Sequence, residues 1–379
     1  MRILGIIFAV CVTLVVVLFI GLQFVDWNKY KDQIIQVAEK QTGYDVDIQG
    51  DLNVALFPFP HIRVQNLSIT NPEEEETFFE TKRVEIYAQF LPLLRGEIAI
   101  DSIYVEDPVI VLRQLTDGTP NWQPPVLVNA SSEGTNQASS PGSVPPELRV
   151  NNLSISNGTL SYFAEGKSAP IQISEIDTDL SLQSLFGPFD IETSFIYNET
   201  PVSVDVKASR LNQESKALPM QMTANIYDSL ASLKFSGVLG YGENPDMQGE
   251  TEINIENLQG LFDIFTDSPG EGKGNFSYPV TLSGILSAGT EKASYTNFVM
   301  NMGETRFSGR VDVGNLSSYP NEPLLAVFDL KEGSASSLKG GIEISSDNVK
   351  LADTNITYAS SAAQVDAVFN YGNKNPAII

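Results

Sequence analysis

Apolar and polar residues alternate with a period of two through most of this chain, as in VSVDVKA at Val202 to Ala208 and INIENL at Ile253 to Leu258. Such alternation predicts strands with one apolar face. Asn, Gly, Ser and Asp clusters interrupt it at short intervals, which predicts successive antiparallel hairpins. Sustained helical periodicity is confined to DWNKYKDQIIQVAEKQTG, where Tyr30, Ile34, Val37 and Ala38 share a face and Gly43 stops the helix. Residues 25–43 are therefore expected as a short amphipathic helix, and the body from Tyr44 onward as β structure.

One pattern recurs. IRVQNLSITN at Ile62 to Asn71 and LRVNNLSISN at Leu148 to Asn157 are identical at seven of ten positions. Looser copies are INIENL at Ile253, VDVGNL at Val311 and IAIDSI at Ile98. Their starts, at 62, 98, 148, 253 and 311, follow no fixed period, so a solenoid or propeller is excluded. In each copy the apolar positions change parity at an Asn or Ser. A regular strand would then present apolar residues to both faces, and one extra residue restores them to one face. Asn66, Ser102, Asn152, Asn257 and Asn315 are the expected bulge or bend positions, since Asn tolerates the backbone that a bend needs. IQISEIDTDLSL changes parity in the same way, from Ile171 and Ile173 to Ile176, Leu180 and Leu182. The fold class is mainly β: an elongated, curved antiparallel sheet forming a groove. Ile62, Val64, Ile98, Ile100, Leu148, Val150, Ile253 and Ile255 are the expected groove lining. With no amphipathic helices to cover it, the apolar face either closes as a sandwich or stays open to a partner, for which acyl chains are suitable.

Two segments break the alternation. NASSEGTNQASSPGSVPPE, residues 129–147, is too polar to bury and is expected as a disordered linker. It separates a first β portion, 44–128, from a second, 148–379. PEEEE at Pro72 to Glu76 is expected as a solvated turn.

Ile3 to Leu22 is a run of twenty uncharged residues, about 30 Å as a helix and enough to cross a hydrocarbon core. Arg2 precedes the run and Asp26 follows, which predicts a cytoplasmic N-terminus and a body across the membrane. The run ends in FIGLQFVDW without an A-x-A-like exit, so residues 1–24 are expected as an uncleaved anchor. Val10 before Cys11 excludes a lipoprotein site.

Charge and rare residues exclude whole classes. Against 47 Asp plus Glu stand 23 Lys plus Arg, a net charge of −24, which argues against a nucleic-acid partner. Cys11 is the single cysteine and His61 the single histidine, so disulfide frameworks, thiolate metal sites and Cys-His dyads are excluded. His61, beside two prolines, is expected at a turn or strand edge. Asp45, Asp47, Gln49 and Gly50 imitate the opening of an EF-hand loop, but the twelfth position is Leu56 where a Glu is required. A strand with one wet face fits DVDIQGD better. No catalytic residue, cofactor or metal is expected.

The N-terminal layout, a single span followed by DWNKYKDQIIQVAEKQTGYDVDIQGDLNVALFPFPHIRVQNLSITNP, resembles the AsmA family of Gram-negative envelope proteins. VEIYAQFLPLLRGEIAIDSIYVEDPVIVLRQLTDGTPNW is similar to that family's Leu-rich turn before Arg-Gly, strand ending in Asp-Pro, and closing Asp-Gly then Asn121 and Trp122. NGTLSYFAEGKSAPIQISEIDTDLSLQSLFGPFDI also resembles it, and the likeness runs over roughly residues 1–320. The resemblance implies an inner-membrane anchor, a periplasmic body, an elongated β-groove related to bridge-like lipid-transfer proteins, and a role in phospholipid movement and outer-membrane biogenesis. It implies no catalytic residues. The longer C-terminal β-region of larger members is not visible before NKNPAII, so the chain is either a short member or a truncated one; a short member implies a local lipid-handling or assembly role. The competing expectations are a scaffold assisting outer-membrane protein assembly without carrying lipid, and an envelope hydrolase for which no nucleophile-base pair can be named.

Overall fold

The computed structural model describes residues 26–370 apart from 57, 73–75, 94, 96–98, 114–119, 123–149, 164–169, 183, 185, 213, 228–229, 243–244, 266–277, 320–321, 333–335, 346–347 and 359–360. The uncharged run Ile3 to Leu22 and the polar stretch 129–147 lie outside the described residues, as do Ile98 and Leu148. Among the described residues no helix is long and apolar enough to cross a membrane.

The described chain begins with a 3₁₀ turn, Trp27–Tyr30, and helix α1, Lys31–Thr42. Gly43 ends α1 at φ 77°, donating its N–H to the Glu39 carbonyl at 2.7 Å; glycine reaches this left-handed conformation without steric cost. Three bonds dock the helix: the Leu52 N–H donates to Asn28 Oδ1 at 2.9 Å, Lys31 Nζ to the Gly50 carbonyl at 2.6 Å, and the Val46 N–H to Glu39 Oε1 at 3.4 Å. The docked side thus carries Lys31, Ile35 and Glu39. The expected apolar face is oriented otherwise: Tyr30, Ile34 and Val37 are exposed, because polar bonds to the sheet set the rotation of the helix.

Two compact units follow. The first comprises residues to Phe186 with Ile191–Glu199, and the second Gly187–Asp190 with Thr200 onward. The first unit contains β1 (Asp45–Ile48), β2 (Leu52–Ala55), β3 (His61–Asn71), β4 (Glu76–Ala88), a one-turn helix α2 (Phe90–Leu93), β5 (Ile100–Glu106), β6 (Val109–Arg113), β7 (Asn152–Phe163), β8 (Ile171–Leu182) and most of β9 (Phe189–Tyr197). β1 and β2 both pair with β3, which pairs with β4, all antiparallel. β5 and β6 lie end to end along β4 and run parallel to β7. This corrects the all-antiparallel expectation. A parallel neighbour needs a connection of a dozen or more residues to return to the same end, and residues 114–151 supply it. The same pairing ties the chain before the polar stretch to the chain after it, and the two compact units divide near residues 187–199.

The second unit is an antiparallel meander: β10 (Thr200–Ala208), β11 (Ala217–Ile226), β12 (Ala231–Gly240), β13 (Asp246–Ile255), helix α3 (Leu258–Phe265), β14 (Val280–Gly289), β15 (Ala293–Met302), β16 (Thr305–Gly314), β17 (Leu324–Glu332), β18 (Ser336–Ile344), β19 (Asn348–Tyr358) and β20 (Ser361–Asn370). Each strand from β10 pairs with the next. α3 is a helix that the alternation of INIENL does not announce.

Candidate functional site

Register and pleat assign the faces of the second unit. Leu233, Phe235 and Leu239 of β12 stand opposite Ile253, Thr251 and Met247 of β13, which stand opposite Leu282, Gly284 and Ala288 of β14. Side chains two apart share a face, so the apolar set continues to Val202, Val204 and Val206 of β10 in one direction and to Phe307, Phe328, Ile342 and Leu351 in the other. The opposite face carries Asp205, Lys234, Glu250, Glu252, Arg310, Lys339 and Asp366, with Val238, Leu325 and Val327 as exposed apolar exceptions.

Bulky side chains on the apolar face lie over glycines of neighbouring strands. Phe235, Phe298 and Phe328 are its best buried aromatics, at 4%, 4% and 7% exposure. A Cβ at Gly249 would fall 2.6 Å from the Phe235 ring, one at Gly284 2.9 Å from Phe298 Cβ, and one at Gly340 3.0 Å from the Phe328 ring. The rings of Phe235 and Phe328 thus occupy space that Gly249 and Gly340 leave free, and at Gly284 the space is taken by Phe298 Cβ and the Tyr295 ring, 3.0 Å away. Most other residues on this face are partly exposed. Among the described residues, α3 is the one helix of this unit, and only eleven hydrophobic side chains are buried in the two units together. A sandwich core would bury far more. The face is apolar and locally packed, and the described strands of its unit form one continuous sheet.

In the first unit the apolar face is kept by a different device. Gln65 pairs with Arg83, Arg83 with Glu106, and Glu106 with Ser156, so these four form one row across β3, β4, β5 and β7. The next row is Asn66, Lys82, Asp107 and Asn157. Asn66, Asp107 and Asn157 have φ of 48°, 51° and 54°, the left-handed region that Asn and Asp enter at least cost among side-chain-bearing residues. Every strand changes phase at this level. Val64 gives way to Leu67, Val84 to buried Thr81, and Ile155 to Gly158 and Leu160. On β8, Glu175 at φ 50° makes the compensating change between Ile173 and Ile176.

Polar groups cross-link this seam. Asn157 Nδ2 donates to Asp107 Oδ1 at 2.6 Å, and its N–H to Asp177 Oδ1 at 3.0 Å. Lys82 Nζ reaches Glu106 Oε1 at 3.0 Å and Asp107 Oδ2 at 3.2 Å. The bonds from Asn157 and Lys82 hold the Asp107 carboxyl below its usual range, and the bonds to Glu106 and Asp107 raise the Lys82 ammonium. Beside the seam, burial pushes the Glu85 carboxyl up, but bonds from Arg63 at 2.8 Å and Tyr87 at 2.8 Å outweigh it and leave it below the usual range. These are structural ties. Asn121 is another: it is 1% exposed, donates from Nδ2 to the Val111 carbonyl at 2.9 Å and accepts the Arg113 N–H at 3.1 Å.

Of the expected groove residues, Ile62, Val64 and Ile100 share the apolar face of the first unit, Ile62 opposite Ile86, Val64 opposite Val84, and Ile100 opposite Ala88. Ile253 and Ile255 lie on the apolar face of the second. Val150 precedes β7. The expected bend positions separate into three kinds. Asn66 lies in the seam, and the β4–β5 register shifts beside Ser102. Asn152 does not bend its strand: it pairs regularly with Ser102 and Ser181, and the phase change falls at Asn157 because it must lie in the row set by Asp107. Asn257 and Asn315 stand beyond strand ends. Asn257 Oδ1 accepts the Gly260 N–H at 3.1 Å and caps α3; Asn315, at φ 63°, opens a turn and donates to the Pro323 carbonyl at 3.2 Å. Reasoning from the repeated motif missed Asp107, Asn157, Asn297 and Asp353. The signal for Asn157 was the parity change between Ile155 and Leu160 beside an Asn-Gly pair.

His61 opens β3, its ring stacked on Tyr87 and its Nδ1 3.0 Å from the Phe59 carbonyl oxygen. Asp45 and Asp47 alternate with half-buried Val46 and buried Ile48 in β1. Among the described residues no group of His, Cys, Asp or Glu is arranged to hold a metal ion.

A family model described as the AsmA family matches residues 1–284. A curated relative, the AsmA family protein YhjG of Escherichia coli (strain K12), is 23% identical over 276 residues, covering 64% of this chain and 39% of the relative. The chain thus spans about two fifths of the length of that relative. No solved structure matches.

Proposed function

We propose that this chain, which belongs to the AsmA family, is a non-enzymatic envelope protein, held in the inner membrane by residues 3–22 with its body in the periplasm, that shields phospholipid acyl chains on its apolar sheet faces in support of outer-membrane biogenesis. One observation carries the reading. From Val202 to Leu351 the second unit presents a continuous apolar face most of whose described side chains are left partly exposed. An apolar face of this extent needs an apolar partner, and lipid chains, unlike a folded partner, require no matching side-chain pattern. The charged opposite face keeps the loaded protein in water.

The test is crosslinking in living cells with a photoreactive amino acid at Leu233 or Ile253, and at Lys234 on the opposite face as control. Phospholipid adducts are expected at the first two positions and not at the third. Envelope-protein adducts at Leu233 and Ile253 without lipid would replace this reading by that of an assembly scaffold; no adduct of either kind at these positions would defeat both.

A further inference from the structure

The first unit exposes a second apolar surface, at the end of its strands. Phe59, in the β2–β3 turn, is 66% exposed, and Leu91, in the β4–β5 connection, is 68% exposed. The two turns are neighbours, since the Ala88 N–H donates to the Pro60 carbonyl at 2.8 Å. Between them lies a cleft of about 680 Å³ lined by Phe59, Pro60, Tyr87, Phe90, Leu91 and Tyr104. Exposed Arg95 follows on the same connection, its N–H bonded to the Pro92 carbonyl at 2.8 Å. Large apolar tips with tyrosines and a cation behind them are the composition of a membrane-water boundary.

The path of the chain says which membrane. Asn28 is bonded to Leu52, which pairs with Val64 in the middle of β3, and α1 leads from there to Asp45, which pairs with Thr70 at the far end of β3. The N-terminal end of α1 therefore faces the His61 end of β3, where the Phe59 and Leu91 turns lie. Only Gln23, Phe24 and Val25 separate the uncharged run Ile3 to Leu22 from Asp26, and three residues reach no more than about 11 Å.

We infer that the Phe59 and Leu91 turns form a membrane wedge, seated in the interfacial region of the same bilayer that the run Ile3 to Leu22 enters. The net charge of −24 argues against electrostatic attraction to anionic lipid as the main cause, so the seat is chiefly apolar, with Arg95 placed to meet the phosphates. The inference rests on the anchored reading above, and deepens it by placing one end of an apolar β-surface within the leaflet that would supply lipid.

The experiment uses the full chain with Cys11→Ser, reconstituted in bilayers of phosphatidylethanolamine and phosphatidylglycerol, and an environment-sensitive fluorophore attached at Phe59→Cys, Leu91→Cys or, as control, exposed Val327→Cys. Blue-shifted emission and quenching by doxyl-labelled lipid are expected at 59 and 91 and not at 327. Emission at 59 and 91 matching that at 327 would overturn the wedge. Quenching at 59 and 91 without lipid adducts at Leu233 and Ile253 would leave the wedge standing and remove the lipid-carrying reading.

Discussion

The two units meet one geometrical problem with opposite devices. A strand whose apolar positions change parity must gain a residue, and its neighbours must follow or absorb the difference. In the first unit β3 to β7 follow, and β8 absorbs the difference at Glu175. Asn66, Lys82, Asp107 and Asn157 occupy one row, so the β3–β4 register passes from Gln65↔Arg83 to Leu67↔Thr81 without a slip. In the second unit single strands absorb it. Ser283 and Ile285 of β14 face Val299 and Thr296 of β15, three positions against two, with Asn297 at φ 52° as the extra residue. Asp353 does the same on β19, where Gly341 pairs with Ala352 and Lys339 with Asn355. Glycines under aromatic rings then take the space that the bulge displaces. A shared phase change is a property of several strands at once, whereas a solitary bulge is local and depends on its packing.

The contrast can be broken at its most packed point first. Phe298→Ala removes a ring that is 4% exposed and stacked on Tyr295 beside Gly284 in the second unit, and large-to-small changes of buried aromatics cost about 3–5 kcal/mol. Hydrogen exchange in the full chain should show β14 to β16 destabilised and the amides of β3 to β7 unchanged; equal loss in both would mean that the two devices are not independent.

The next test separates the two Asn residues of one motif. Asn157→Val places a β-branched residue in the left-handed region, at a cost of about 1–3 kcal/mol, and removes the bond to Asp107. Asn152→Val, at a regular strand position, should cost less than about 1 kcal/mol. Asn157→Gly should recover most of the loss. Urea unfolding of the first unit reads all three, and equal effects at 152 and 157 would refute the assignment of the seam.

The smallest expected effect is on pH. An unfolded aspartate titrates near pH 3.9, and the seam holds Asp107 below its usual range. The stabilisation is therefore complete above the unfolded value and lost as pH falls through the folded one. Asp107→Asn should flatten the acid side of the stability curve of the first unit, followed by urea midpoints between about pH 5 and pH 2.5; an unchanged slope would show that the carboxylate contributes nothing there.

Much of this was legible in the residues. The mainly β class follows from alternation in stretches such as VSVDVKA, and the need for bends follows from parity, because side-chain direction in a strand is fixed by position. The end of α1 at Gly43 follows from its backbone freedom. The site was legible as a set of apolar positions and not as a surface. Ile62, Val64 and Ile100 come together only through the pairing of β3, β4 and β5, and the aromatic-glycine contacts of the second unit join residues far apart in the chain.

The echo between Ile62 to Asn71 and Leu148 to Asn157 marks the boundary most sharply. From alternation alone, each copy is a strand with an apolar side and a phase to correct. Where the correction falls was decided by the tertiary structure, at Asn66 in one copy and at Asn157 in the other. A left-handed residue can sit only where the strands on both sides admit one, and which strands those are depends on the parallel placement of β7 beside β5 and β6. Alternation is a local property of the chain, and the row that Asn66, Lys82, Asp107 and Asn157 form is a property of the sheet.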